Sequence, residues 1–419
     1  MQVAAQRTAD PKKATAGLRG ASWTPGRLPA DLRTSVHTVA TQDGAQITGF
    51  LYARGGEKSV VSLMHPRELI ATHYLVPDVL MAGSACWVQG SRSVGNDVRL
   101  EHEIALFDVA AGLNFLRSAG FEHLTLLGNS GGAALFALYI QQSGAEAAQR
   151  IAKTPGGRPT KLAEANLPLA ERLILVAPHL GPGKLLQSCI DPSVTDEADA
   201  LAMDASLFAF SKENGFRRPP ESARYAPQFI ERYRQAQRER VARIDASARA
   251  SIEERLRARG AAKEGADEQT RIRGAHTPIF QVWRTDADPR CFDLSLDPSD
   301  RKWGTVWGND PIASNFGSIG FARSCTAESW LSTWSGLSSN AAFEKCGSAI
   351  EQPTLMIDYT GDNTVFPPDA AAIFTSLRTS RKSRRSIRGN HHGQPLTEGD
   401  ASGQLAAGQA IQDFLRSRP

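Results

Sequence analysis

A chain of 419 residues that is 41% hydrophobic and 22% charged can bury a large core, which excludes intrinsic disorder as its overall state. Its formal net charge of +4 is interleaved with acids everywhere except the run Arg378 to Arg388, too little to select nucleic acid as a partner. The five cysteines are odd in number and form no C-x-x-C pair, which argues against a disulfide framework or a cysteine-ligated metal site and fits a reducing compartment.

Residues 1–35 read as a flexible leader with no apolar stretch of signal-peptide length, and no apolar run in the chain is long enough to span a bilayer. The expectation is a cytoplasmic protein that binds no membrane. From Val36 to Ala53 the side chains alternate and turn through Asp43-Gly44, the pattern of an antiparallel hairpin. Short apolar runs then recur: SVVSLM before His65, SACWVQG around Trp87, HLTLLGN before Ser130 and RLILVAP before His179. Between the second and third, Ile104, Val109, Leu113 and Leu116 recur at helical spacing and Gly120 follows as a stop, which makes this a crossover helix. Strands alternating with helices predict a parallel sheet covered on both faces.

Past Leu180 the pattern changes. Phe229, Tyr233, Val241, Ile244, Ala248, Ile252 and Leu256 trace one stripe of a long charged helix whose other face reads as solvated. From Pro278 the segment becomes rich in turns and carries Trp283, Trp303, Trp307, Trp330 and Trp334, which either fill a local core or line a pocket. Alternation resumes with PTLMIDYTGD from Pro353, a helix over Asp369 to Leu377, the strand candidate RRSIRGN and a final helix through Leu405, Ile411 and Leu415. The domain reading is a leader at 1–35, a core at 36–180, an insertion at 181–350 and the rest of the core at 351–419.

The segment LTLLGNSGGAAL places Gly128-Asn129-Ser130-Gly131-Gly132 between an apolar strand and an Ala-rich helix. A strand that turns sharply into a helix strains its turning residue and leaves no room two positions before or after it, so small residues are required at both places. Ser130 is therefore the candidate nucleophile. The free N–H groups and positive dipole end of the following helix point at the turn, which makes the Gly131 N–H the first candidate oxyanion donor.

A serine needs an imidazole to take its proton and a carboxylate to orient that imidazole. Downstream, Asp362 falls in a loop just past a strand, whereas its rival Asp358 falls inside the strand run. Of the adjacent His391 and His392, the spacing Gly389-Asn390-His391-His392 favours His392 as a base closing the loop. A second oxyanion N–H is expected after SVVSLM, where His65-Pro66-Arg67 follows; proline has none to give, which leaves Arg67. Glu101, His102 and Glu103 are adjacent, diverge on a helix and read as a solvated helix start; no metal site and no cofactor motif is read anywhere.

Through Gly128-Asn129-Ser130-Gly131-Gly132, the strand run with Asp362 and the His391-His392 loop before a last helix, the sequence resembles the α/β-hydrolase superfamily over about 36–180 and 349–419. The resemblance implies an α/β fold with a mostly parallel eight-stranded sheet, helices on both faces and a mainly helical cap inserted after the sixth strand. It also implies a serine hydrolase without cofactor, acting on a small-molecule ester, with Ser130, Asp362 and His392 as its triad. An amidase, a carbon–carbon bond hydrolase, an acyltransferase or an inactive binding protein could use the same frame. The family often has His-Gly where this chain has His65-Pro66-Arg67, which puts the second oxyanion donor in question. The size and tryptophan content of the insertion suggest a bulky or aromatic substrate; oligomeric state is not readable.

Overall fold

The computed structural model describes residues 22–95 and 97–417. The expected leader lies outside the described residues up to position 21. Beyond it the chain already packs on the core, with Trp23 edge-on to Tyr52 at 5.5 Å and Arg27 paired to Asp78 at 2.7 Å.

The hairpin forms as its alternation predicts. Strand β1 (Arg33–Ala40) pairs antiparallel with β2 (Gln46–Ala53), and Gly44 takes φ +88° in the turn, a conformation that favours glycine. The apolar runs become β3 (Ser59–Met64), β4 (Ala85–Gln89), β5 (His123–Asn129) and β6 (Arg172–Val176). A two-stranded antiparallel ribbon, β7 (Ile279–Gln281) and β8 (Ser324–Thr326), lies apart, and β9 (Thr354–Tyr359) and β10 (Lys382–Ile387) complete an eight-stranded sheet. Its order is β1-β2-β4-β3-β5-β6-β9-β10, and β2 alone runs antiparallel to its neighbours.

Successive side chains on a strand point to opposite faces, and here both faces are apolar. Val60, Leu124, Leu126, Leu173, Leu175 and Met356 meet helices α2 (His102–Ser118) and α3 (Gly131–Gly144) on one side. Val61, Leu63, Leu127, Ile174, Val176 and Ile357 meet helix α1 (Val76–Met81) and the C-terminal helix Gly403–Arg416 on the other. Helix α3 is apolar on all sides and buried from Gly131 to Ile140; each large apolar side chain enclosed this way contributes about 1.5–3 kcal/mol. In the last helix Ala407 and Ile411 face inward while Leu405 remains 54% exposed, so the inner stripe differs from the expected one.

Between β6 and β9 the chain leaves the sheet as a large, mainly helical insertion whose longest helix runs from Pro227 to Lys263. Its stripe from Phe229 to Ile252 is buried, but Leu256 is 55% exposed and the buried face continues at Ala258 instead. The charged residues of this helix are not all solvated either. Arg240 is fully buried, where its guanidinium grips Glu197 through two bonds of 2.7 Å and donates to the Asp191 carbonyl at 2.6 Å. The basic run along β10 is an edge laced with acids: Arg384 pairs with Asp358, Arg388 with Asp300 and Asp400, and Arg378 with Glu351. No helix among the described residues is long and apolar enough to cross a membrane.

Candidate active site

Strand β5 lies at the centre of the parallel set, between β3 and β6, and ends at Asn129. Ser130 follows with φ 51° and ψ −116°, a strained conformation for a residue with a side chain. The Ser130 N–H holds this turn to the Val176 carbonyl on β6 at 2.9 Å. The small neighbours are obligatory. A Cβ at Gly128 would come within 2.6 Å of the Ala133 backbone, and one at Gly132 within 2.2 Å of the Met64 carbonyl at the end of β3. The turn lifts the Ser130 side chain out of the sheet into a cavity lined on the side of the insertion by Trp307, Phe321 and Trp334.

The loop after β10 sends His391 into this cavity, and the loop after β9 places the buried Asp362 against that ring. His391 Nε2 lies 3.1 Å from Ser130 Oγ, and Nδ1 lies 2.6 Å from Asp362 Oδ2. The other carboxylate oxygen, Oδ1, accepts from the Thr364 N–H at 2.7 Å, the Thr364 hydroxyl at 2.8 Å and the Val365 N–H at 3.2 Å. Burial favours the neutral carboxyl of Asp362, but His391 and these donors outweigh it and hold the group below the usual carboxylate range. Asp358 stays within β9, paired to Arg384 at 2.7 Å and bonded to the Ser386 hydroxyl.

The histidine expected beside Ser130 shifts by one residue. His391, not His392, bridges Ser130 and Asp362. The His392 N–H is bound by the Asn390 side chain and its carbonyl accepts from Gln404, which turns the ring away from Asp362; its Nδ1 is buried with no partner among the described residues. Electrostatics separates the pair further. Burial lowers the basicity of every imidazole lining the cavity: His65 falls well below the ordinary histidine value, His102 to about 4, and His179 and His392 to about 3. His391 is the exception, because the adjacent Asp362 carboxylate overcomes its burial and raises it. It is the one imidazole of the five whose affinity for a proton is raised.

Gly131 begins α3, whereas the Arg67 N–H is already engaged. That N–H turns back to His65 Nδ1 at 3.2 Å, while the guanidinium lies 5.0 Å above the Trp334 ring. The same bond, from the N–H two residues on to an imidazole Nδ1, forms at His73 and at His179 with no proline between, so the histidine side chain itself draws the N–H back.

The segment Glu101-His102-Glu103 also departs from expectation. It is buried rather than solvated, because the insertion packs over it: Glu103 accepts from the Ser332 hydroxyl at 2.5 Å and from Asn340 at 2.9 Å, and His102 Nδ1 contacts Thr333 at 3.0 Å. His102 thereby joins the cavity wall, and no local pattern foretold that. The tryptophans serve both alternatives: Trp307 lines the cavity, Trp303 and Trp330 fill cores, and Trp334 does both. Among the described residues no group of three His, Cys, Asp or Glu side chains is placed to hold a metal ion.

The strand order and directions, with the strained serine turn at the end of the central strand, define an α/β-hydrolase fold. No protein-family model and no curated protein matches the chain. Solved structures similar to it include DcsB in complex with its substrate analogue, at 14% identity and TM-score 0.48, covering 92% of this chain and 98% of that one. The α/β hydrolase GrgF from Penicillium sp. sh18 is similar at 13% identity and TM-score 0.45, covering 92% of this chain and 98% of that one. The esterase Pf2001 of Pyrococcus furiosus is similar at 10% identity and TM-score 0.41, covering 94% of each chain. Likenesses at this level carry no information on substrate.

Proposed function

We propose that this protein is a serine hydrolase that cleaves a carboxylic ester through an acyl-enzyme on Ser130, with His391 as general base and Asp362 as its orienting carboxylate. The observation that carries the reading is the continuous chain from Ser130 Oγ to His391 Nε2 at 3.1 Å and from His391 Nδ1 to Asp362 at 2.6 Å. His391 takes the Ser130 proton as the oxygen attacks the ester carbonyl, then delivers it to the departing alcohol. Water repeats both transfers on the acyl-enzyme. The Gly131 N–H, at the positive end of α3, faces the charge that develops on the carbonyl oxygen.

The cavity above Ser130 measures about 80 Å³. An apolar cavity of ~150 Å³ accommodates one benzene ring. The walls in this conformation fit a short acyl group, and the rest of a bulky or aromatic substrate would extend along the faces of Trp307, Phe321 and Trp334. We place the substrate among small-molecule esters and the site of action in the cytoplasm.

Hydrolysis of a p-nitrophenyl ester tests the reading through its pH dependence. The base must be neutral to act, and Asp362 raises His391 above the ordinary value of 6.5, so kcat/KM should rise with pH through that raised value and level off above it. In D362N the source of the increase is gone and the midpoint should move down. Activity that is flat through this range, or a midpoint unmoved in D362N, would contradict the assignment.

A further inference from the structure

Strands β3 and β6 flank β5, and the chain beyond each delivers a histidine to the cavity: His65 directly after β3, and His179 after Ala177 and Pro178 at the end of β6. Both rings are fixed in the same way. His65 Nδ1 accepts the Arg67 N–H at 3.2 Å, and His179 Nδ1 accepts the Gly181 N–H at 3.2 Å. An imidazole that accepts at Nδ1 and stays neutral carries its hydrogen on Nε2. Burial, reinforced by Arg67 and the neighbouring imidazoles, keeps His65 neutral. Each ring therefore presents one N–H donor.

The two donors are not equivalent in position. His65 is 7% exposed, and its Nε2 lies only 2.8 Å from the point where a side chain on Gly131 would begin. That places the ring against the first turn of α3, beside the N–H that faces the developing oxyanion. A tetrahedral intermediate needs a second donor there, and neither Pro66 nor Arg67 supplies a backbone one.

We propose that the Nε2–H of His65 is the second oxyanion donor, so that a neutral imidazole at the end of β3 replaces a backbone amide. The inference rests on the serine-hydrolase reading. His65 donates a hydrogen bond and keeps its hydrogen throughout, so the proton economy of Ser130 and His391 is unaltered. It also accounts for glycine at position 131, since any side chain would displace the ring.

Two substitutions separate donation from support. His65→Asn keeps an acceptor near the position of Nδ1 for the Arg67 N–H but is too short to place a donor where Nε2 lies. His65→Gln reaches that place with an amide N–H. With p-nitrophenyl butyrate, H65N should lose about 10²-fold in kcat, in line with removal of one oxyanion donor, with KM changed less than about threefold. H65Q should retain at least about tenfold more kcat than H65N. An alkyl trifluoromethyl ketone, whose adduct with Ser130 carries the oxyanion, should bind H65N weaker by a factor similar to the kcat loss. Equal losses in H65N and H65Q, a loss carried by KM, or unchanged ketone affinity in H65N would overturn the proposal. Labelling of wild-type Ser130 by a fluorophosphonate keeps the two claims distinct: if it succeeds while the His65 variants behave like wild type, this inference falls and the hydrolase reading stands. If wild-type Ser130 does not label, both fall.

Discussion

Replacing His391 by alanine should lower kcat on any ester substrate by a factor on the order of 10⁴ or more, whereas His392→Ala should cost less than about tenfold. The two rings are sequence neighbours with centroids 5.1 Å apart, and both reach the cavity, so proximity alone does not distinguish them. Charge does. Burial and the nearby His391 hold His392 at about 3, which leaves it a negligible driving force for taking a serine proton. His391 has the opposite balance, since it shares a 2.6 Å bond with a carboxylate whose second oxygen is saturated by Thr364 and Val365. Steady-state kinetics of both variants on one chromogenic ester checks the point; comparable losses in the two would show that the loop rearranges when substrate binds.

The second large effect is expected at the carboxylate. Asp362→Asn should lower kcat by roughly 10³–10⁴-fold, because an amide can present its N–H to His391 Nδ1 and so favour the tautomer that leaves Nε2 unable to accept the serine proton. Asp358→Asn should change kcat by no more than a few-fold. That carboxylate faces Arg384 and Ser386 along β10, so its loss acts on the partly exposed pairing of the sheet edge and not on the reacting groups. A D358N enzyme as impaired as D362N would refute the division of labour between them.

The sheet was legible because burial on both faces demands near-continuous apolar runs, and RLILV and TLMID are runs of that kind. The proposed nucleophile was legible for a steric reason: the sharp turn tolerates only small residues around Ser130, so the constraint is written locally as Gly128 and Gly132. Asp362 could be chosen over Asp358 because strand position and loop position differ in the sequence pattern itself. The choice between His391 and His392 could not be made in the same way. Adjacent side chains in an irregular loop take directions set by backbone angles, which here depend on Asn390 and on Gln404 from the last helix. The neutral donor at His65 and the burial of Glu101 to Glu103 were hidden for a related reason. Both follow from contacts across the fold, the first with the start of α3 and the second with Ser332, Thr333 and Asn340 some 230 residues away.

The central claim is that Ser130 is activated by His391, and intact-mass labelling with a small fluorophosphonate tests it most directly. Wild type should take one adduct, S130A none, H391A should label far more slowly, and H392A should label close to the wild-type rate. An adduct that persists in S130A, a folded wild type that takes none, or a labelling rate indifferent to His391 would contradict the account.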